Sequence, residues 1–465
     1  MNRFKRIVIF TIIFMTFLLP ITTIMATDIN SNTTDTNNTS IDISDYNPDN
    51  ISTNSESVIL MDSKTGKILY SKNANTKQYP ASTTKLMTAI LTLENCNLND
   101  VVTISHNAIY SIPVGYTHAN LVEGEKLTVE QLLNVLLIPS ANDAAVALAE
   151  HISGSVEEFA TLMNNKAKEL GCLDTHFVNP NGVHDDNHYS TAYDLAIIGR
   201  YAMRFSDILR IVKVSQYTLP TTNKYDKEDR IFNTTNNLIN PNDEYYYQYT
   251  TGLKTGYTDK SGSCIVATAT KNNVQLLAVV LGSETAEERE KDCINLFDYG
   301  FENYSYQNLI ESNELIDTVQ VNGATTETEN LSIYTKDDIN VLLKNSIDVE
   351  NLEKTVEIND NLIAPISKDA VVGTVSYTID GETYSTELIA GNDVQASDFE
   401  LIIFRTLLIL LIFILFILII SKLNKPRKRK GSSHSANYSK RTKSKKKSNS
   451  RKGGRYKFTQ INEYL

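Results

Sequence analysis

An unbroken apolar run, Leu401–Ile420, sets the frame for everything else in this 465-residue chain. Its only charge is Arg405, near the outer end, and about 20 apolar residues are what a helix needs to cross the hydrocarbon core of a bilayer. Beyond it, Ser421–Leu465 carries 16 Lys and Arg against a single acid, Glu463. Dense basic charge beside a span is held on the cytoplasmic side and meets anionic headgroups there, so this tail is expected to stop transfer and to lie inside. The other end agrees. Arg3, Lys5 and Arg6 precede an apolar stretch, Ile7–Pro20, and small residues follow up to Ala26, the pattern of a secretory signal. The chain is expected at the cell membrane as a single-pass protein, with its bulk extracytoplasmic and its C-terminus cytoplasmic.

Charge is then divided unevenly. Of 44 Lys and Arg and 55 Asp and Glu, the tail holds 16 and one, the signal three basic residues and the span Arg405. That leaves 24 basic against 54 acidic residues outside, a net charge of about −30. Phosphate binding needs clustered Lys and Arg on the folded part, so no nucleic-acid partner is expected. The cysteines, Cys96, Cys172, Cys264 and Cys293, are far apart and include no Cys-x-x-Cys pair. They are expected as isolated thiols without a metal or nucleophilic role. An exported domain permits a disulfide, but the spacing favours no pairing.

The external part is longer than one hydrophobic core usually holds, which predicts two folded domains. Residues 27–55 are rich in Asn, Thr, Ser and Asp and poor in apolar side chains, as in a flexible leader. From Ser57 the runs SVILMD and KILYSK flank Lys64-Thr65-Gly66, a predicted β-hairpin. Helical spacing follows in Leu86–Glu94, Thr128–Ile138, Asn142–Ile152, Glu157–Leu170 and Thr191–Arg204. Strand patterns return in Gly262–Thr270 and Val274–Ser283. Strands at both ends with helices between them predict an α/β (α+β) domain over 56–303, one antiparallel sheet covered by helices. Short alternating runs over 304–395 predict a small all-β domain for spacing or interaction, followed by the transmembrane helix 401–420.

Chemistry concentrates in three places. Ser82 and Lys85, in Pro80-Ala81-Ser82-Thr83-Thr84-Lys85, are i and i+3 at the start of the first helix and share a face. A serine hydroxyl there sits at the positive helix end and becomes a nucleophile if Lys85 loses its charge through burial or a neighbouring cation. Ser140-Ala141-Asn142 opens a later helix. Thr251-Gly252-Leu253-Lys254-Thr255-Gly256 places a cation, a hydroxyl and a glycine on a strand, and the glycine lets backbone approach a ligand closely. Each alone has a plain structural reading as a cap or a turn; the three in this order do not.

Ser-x-x-Lys, Ser-Asp-Asn and Lys-Thr-Gly are a signature shared by penicillin-binding proteins and class A β-lactamases, with Ser140-Ala141-Asn142 here in the place of the second. The flanks YPASTTKLMTA, PSANDAAVALAE, FVNPNGVHDDNHYSTAYDLA and TGLKTGYTDKSGSCIVATA resemble the serine D-Ala-D-Ala carboxypeptidases over Ser57–Gly300, and the β-rich segment resembles their C-terminal domain. The resemblance implies a β-lactamase/transpeptidase-like fold, peptidoglycan stem peptide as substrate, covalent binding of β-lactam antibiotics, and no cofactor or metal. It also implies roles. Ser82 is acylated and Lys85 is its base; Ser140 relays a proton and Asn142 holds the substrate amide and the lysine. Lys254 and Thr255 receive the terminal carboxylate, Gly256 gives close approach, and the amides of Ser82 and Tyr257 form the oxyanion hole. Asn181 stands where the family often has His, and Asn233–Leu238 fits the family's loop loosely.

Three other readings compete. A β-lactamase of class A needs a glutamate before the third motif, and His176–Tyr189 offers only Asp185 and Asp186. A zinc peptidase is suggested by His184 and His188, but Asn-Gly and Asp-Asp make that stretch a polar loop and not a ligand-bearing helix. A β-lactam-sensing receptor needs an output domain, for which the 45-residue tail has too few apolar residues.

Overall fold

Five antiparallel strands carry the core in the order β2-β1-β9-β8-β7: β1 (Ser57–Asp62), β2 (Ile68–Lys72), β7 (Thr250–Thr258), β8 (Gly262–Lys271) and β9 (Val274–Ser283). This computed structural model describes residues 45, 46, 48 and 51–423. The signal, most of the leader and the tail beyond Leu423 lie outside the described residues. Alternate residues of a strand face opposite ways, and here both faces are buried. Ile59, Met61, Leu277 and Val279 enter one hydrophobic cluster, while Val58, Leu60, Leu276 and Ala278 enter another.

Helices cover both faces. On the first lie α1 (Lys85–Asn95), α3 (Val129–Leu137), α4 (Asn142–Ser153), α5 (Val156–Glu169), α6 (Ala192–Ala202) and α7 (Ser206–Val212), with a short α2 (His106–Tyr110) between α1 and α3. α3 is held by a capping box, Thr128 with Gln131, and α5 by Ser155 accepting from the Glu158 amide. On the second face lies α8 (Ala286–Asn303), with Cys293, Leu296 and Phe297 in the core. The sequence patterns foresaw α1 and α3–α6 but not α8, whose first half, AEEREKD, reads as a solvated charge run. Two short pairs, β3 (Val101–Thr103) with β4 (Lys126–Thr128) and β5 (Gln216–Leu219) with β6 (Arg230–Asn233), lie outside the main sheet.

Two compact units result. One takes in the described residues up to Asp317 with Ile333–Asn359 and Val371–Ile389. It adds to the sheet domain the pair β10 (Tyr304–Ile310) and β13 (Ile339–Lys344), and the antiparallel set β14 (Lys354–Ile358), β15 (Val371–Ile379) and β16 (Glu382–Ala390). The strands β11 (Leu315–Gln320) and β12 (Asn330–Thr335) complete the β-rich run after residue 303. The second unit takes in Thr318–Ser332, Asp360–Ala370 and the described residues from Ala390 to Leu423. In it Ile366 and Val394 exchange backbone hydrogen bonds of 2.9 and 2.7 Å, and the apolar run forms α9 (Phe399–Leu423), 25 residues or about 37 Å long. That is long and apolar enough to cross a membrane.

Candidate active site

The first motif does not begin as an α-helix. Residues Ala81–Thr84 form a single 3₁₀ turn that runs into α1, closed by the Thr83 amide and hydroxyl on Pro80 O at 3.2 and 2.7 Å. Ala81 takes a positive φ of 48° to enter it. The turn keeps Ser82 and Lys85 on one side: Lys85 Nζ lies 2.8 Å from Ser82 Oγ. Lys85 is fully buried, and Nζ also reaches Asn142 Oδ1 at 2.9 Å and the backbone oxygen of Asn181 at 2.7 Å. Asn142 Nδ2 donates to Thr117 O at 2.7 Å, which fixes the amide with its oxygen toward Lys85.

The electrostatics follow from this burial. Desolvation, reinforced by the charge of Lys254 and opposed by Asp143, holds the Lys85 ammonium well below the ordinary lysine value. Lys254 is buried too, and burial first and Arg289 second bring it down to about 7. Its Nζ donates to Thr255 O at 3.0 Å, while Thr255 Oγ1 meets Thr235 Oγ1 at 2.5 Å.

Strand β7 passes hard against the nucleophile turn. A Cβ on Gly256 would lie 2.8 Å from the Ser82 amide nitrogen, so only glycine gives the approach that the third motif predicts. The plain structural reading of Ser140 as an N-cap does not hold: the cap of α4 is Ala141, and Ser140 itself adopts φ +71°. The adjacent backbone is pinned by Ala141 N to Val135 O and Asn142 N to Thr117 O. That turn presents Ser140 to a cleft of about 520 Å³ lined also by Ser82, Asn142, Thr255, Gly256, Tyr257 and Arg289. All eight predicted site residues thus come together, six at the cleft wall, with Lys85 buried behind Ser82 and Lys254 buried beside Thr255.

Several contributors escaped the sequence reading. The residue at 181 acts through its backbone oxygen; its side chain turns away and accepts from the Val183 amide at 3.1 Å, so the Asn-for-His departure leaves the Lys85 contact intact. Arg289, on the unforeseen α8, lines the cleft while paired with buried Glu290 at 2.5 Å. Thr235 falls in the loosely matching segment given no role. His188 is also corrected: the composition of its stretch predicts a polar loop, yet His188 is buried. Its Nδ1 accepts from the Val178 amide at 3.1 Å, so its Nε2–H donates to Thr84 Oγ1 at 2.9 Å. Both ring nitrogens are therefore spent on positioning, and the zinc-peptidase reading loses its second imidazole. All four cysteines are free, three of them buried and Cys96 partly exposed.

Residues 44–285 match the family model described as D-alanyl-D-alanine carboxypeptidase. The chain belongs to the D-alanyl-D-alanine carboxypeptidase family. It is therefore a carboxypeptidase of the penicillin-binding class and a hydrolase. Residues 304–396 match the C-terminal domain of penicillin-binding protein 5. Among relatives, D-alanyl-D-alanine carboxypeptidase DacF of Bacillus subtilis is 35% identical over 358 residues, 76% of this chain and 89% of the relative. DacA of Escherichia coli is 30% identical over 338 residues, 70% and 80% of the two chains. The crystal structure of penicillin-binding protein 5 from Haemophilus influenzae superposes with a TM-score of 0.60 at 30% identity, covering 75% of this chain and 99% of that one.

Proposed function

We propose that this protein removes the terminal D-alanine from peptidoglycan stem pentapeptides through an acyl-enzyme on Ser82, and that penicillins acylate the same oxygen. The observation that carries the reading is the set of three contacts at Lys85. A neutral amine has two N–H donors and one lone pair. Two fixed acceptors, Asn142 Oδ1 and Asn181 O, take the donors, so the lone pair faces Ser82 Oγ at 2.8 Å. A base aimed at a nucleophile in this way is the activated-serine arrangement.

In the first step Lys85 takes the hydroxyl proton as Ser82 Oγ bonds to the carbonyl carbon of the penultimate D-alanine. The carbonyl oxygen becomes an oxyanion beside the amides of Ser82 and Tyr257, where fixed dipoles act on charge that develops in the transition state. Collapse breaks the C–N bond, and the departing amine of D-alanine receives the proton from Lys85 by way of Ser140. Water then attacks the ester with Lys85 again as base, and Ser82 is regenerated. Thr255 and Lys254, together with Arg289, which lines the same cleft, receive the terminal carboxylate.

We further assign 56–303 to catalysis and 304–395 to spacing or interaction, with 401–420 as the single span and 421–465 inside. The acyl-enzyme is tested by mass spectrometry of protein trapped with penicillin: the adduct is expected on Ser82, and Ser82→Ala is expected to abolish both it and D-alanine release. An adduct on Ser140 would overturn the assignment. Protease added to intact protoplasts tests the orientation, which a protected catalytic domain would contradict.

A further inference from the structure

We propose that Cys96, Asp100 and His151 form a divalent-metal site, suited to Zn²⁺, that clips together the far ends of the two helices whose near ends carry Lys85 and Asn142. The donor atoms of these three side chains, a thiol sulfur, a carboxylate oxygen and an imidazole nitrogen, all lie within 4.8 Å of one another. Spacing along the chain concealed the set, because His151 is far from the other two in sequence and the cysteines show no ligand motif.

The cluster is supported by its backbone. Cys96 is the residue that ends α1, with its amide on Thr92 O. Asp100 closes a tight turn in which the Asn97 amide donates to Asp100 Oδ2 at 2.7 Å, and Asp100 O in turn accepts from the Val129 amide at 2.9 Å. His151 sits in the last turn of α4. Among the described residues no hydrogen bond is made by Cys96 Sγ or by the His151 ring, so both donor atoms keep their lone pairs for an ion. The acidic external part also raises the local concentration of cations.

The position of the cluster gives the site its meaning. Lys85 and Asn142 touch at the N-terminal ends of α1 and α4, and Cys96 and His151 meet at the C-terminal ends, so the two helices run side by side in parallel. With 11 residues in α1, the cluster lies about 16 Å along the helix from Lys85. An ion there touches no reacting atom; it fixes the helix pair that aligns the base with its amide partner. Thiolate, imidazole and carboxylate together favour Zn²⁺ over Ca²⁺ or Mg²⁺, with water as fourth ligand and the thiol proton released to solvent on binding.

The test uses full-length protein in detergent, free of any polyhistidine tag and stripped with a chelator, titrated with Co²⁺. One equivalent is expected to give a thiolate-to-cobalt charge-transfer band and the visible bands of a four-coordinate ion, both displaced by Zn²⁺. Cys96→Ser should remove the charge-transfer band, and His151→Ala should weaken binding at least about tenfold, the smallest loss seen even for an outer-shell partner. Zn²⁺ should raise the unfolding temperature of the wild type and of neither variant. His151 is exposed, so its variant remains readable if Cys96→Ser folds poorly. No charge-transfer band at one equivalent, or a band that survives Cys96→Ser, would refute the site. A Zn²⁺-induced rise in unfolding temperature that Cys96→Ser and His151→Ala both retain would refute the clip.

Discussion

Gly182→Ala tests whether the Asn181 carbonyl is part of the machinery. Gly182 has φ +80°, and a Cβ there would lie 1.9 Å from Ala81 O and 3.0 Å from Ser82 N. Two costs follow. The left-handed backbone costs a residue with a Cβ about 1–2 kcal/mol. The contact must also open by roughly 1 Å to reach the shortest distance that real Cβ atoms tolerate, and overpacking of this kind costs about 1–3 kcal/mol. The displaced atoms are backbone on both sides. One side carries Asn181 O against Lys85 Nζ, the other the amide and hydroxyl of Ser82. A shift of about 1 Å in such a group costs about a hundredfold in rate.

Gly171→Ala separates the two costs. Gly171 has φ +85° with nothing within 4 Å of a built Cβ, so its substitution carries the backbone strain alone. Single-turnover acylation by a labelled penicillin and thermal unfolding should be measured on both variants. Gly171→Ala is expected to lower stability by about 1–2 kcal/mol and acylate at the wild-type rate. Gly182→Ala is expected to be less stable still and to acylate about a hundredfold more slowly. Wild-type acylation in Gly182→Ala would refute the role of the carbonyl.

Three further outcomes follow from the site. Acylation should rise with pH and level off well below the ordinary lysine value, because burial depresses Lys85 and only the free amine accepts the proton; Lys85→Arg at the wild-type rate would remove Lys85 as base. Replacing the terminal carboxylate of the substrate by an amide should cost roughly 1.5–3 kcal/mol, or about ten- to a hundredfold in kcat/KM. That preference should persist well above pH 7, since Arg289 stays charged when Lys254, at about 7, does not; a preference that vanishes there would give the carboxylate to Lys254 alone. His188 titrates at about 3 when folded, pushed down first by burial, against an ordinary 6.5. As pH falls through 6.5 the unfolded chain takes up the proton and the folded one does not. Stability is therefore present above 6.5 and lost toward pH 3, at about 1.4 kcal/mol per unit. His188→Gln should flatten the urea-unfolding free energy over that window by one proton, and an unchanged slope would refute the neutral buried imidazole.

What could be read from sequence is what periodicity and spacing encode. Ser82 and Lys85 were legible because residues three apart on a helical turn share a face, and the helices α1 and α3–α6 because apolar residues recur on one side. α8 was not, since its burial of Arg289 and Glu290 as a pair inverts the usual meaning of a charge run. The positive φ of Ser140 and the backbone oxygen of Asn181 leave no trace in side-chain chemistry. A backbone acceptor has one consequence that a side-chain acceptor lacks. The residue that supplies the oxygen is free to vary while its loop keeps its path, and the constraint moves to the neighbour that makes the path possible. Position 181 accordingly departs from the family's common residue without disturbing Lys85, whereas position 182 admits no Cβ against Ala81 O. The residue on which this contact depends is the glycine, which touches no substrate at all.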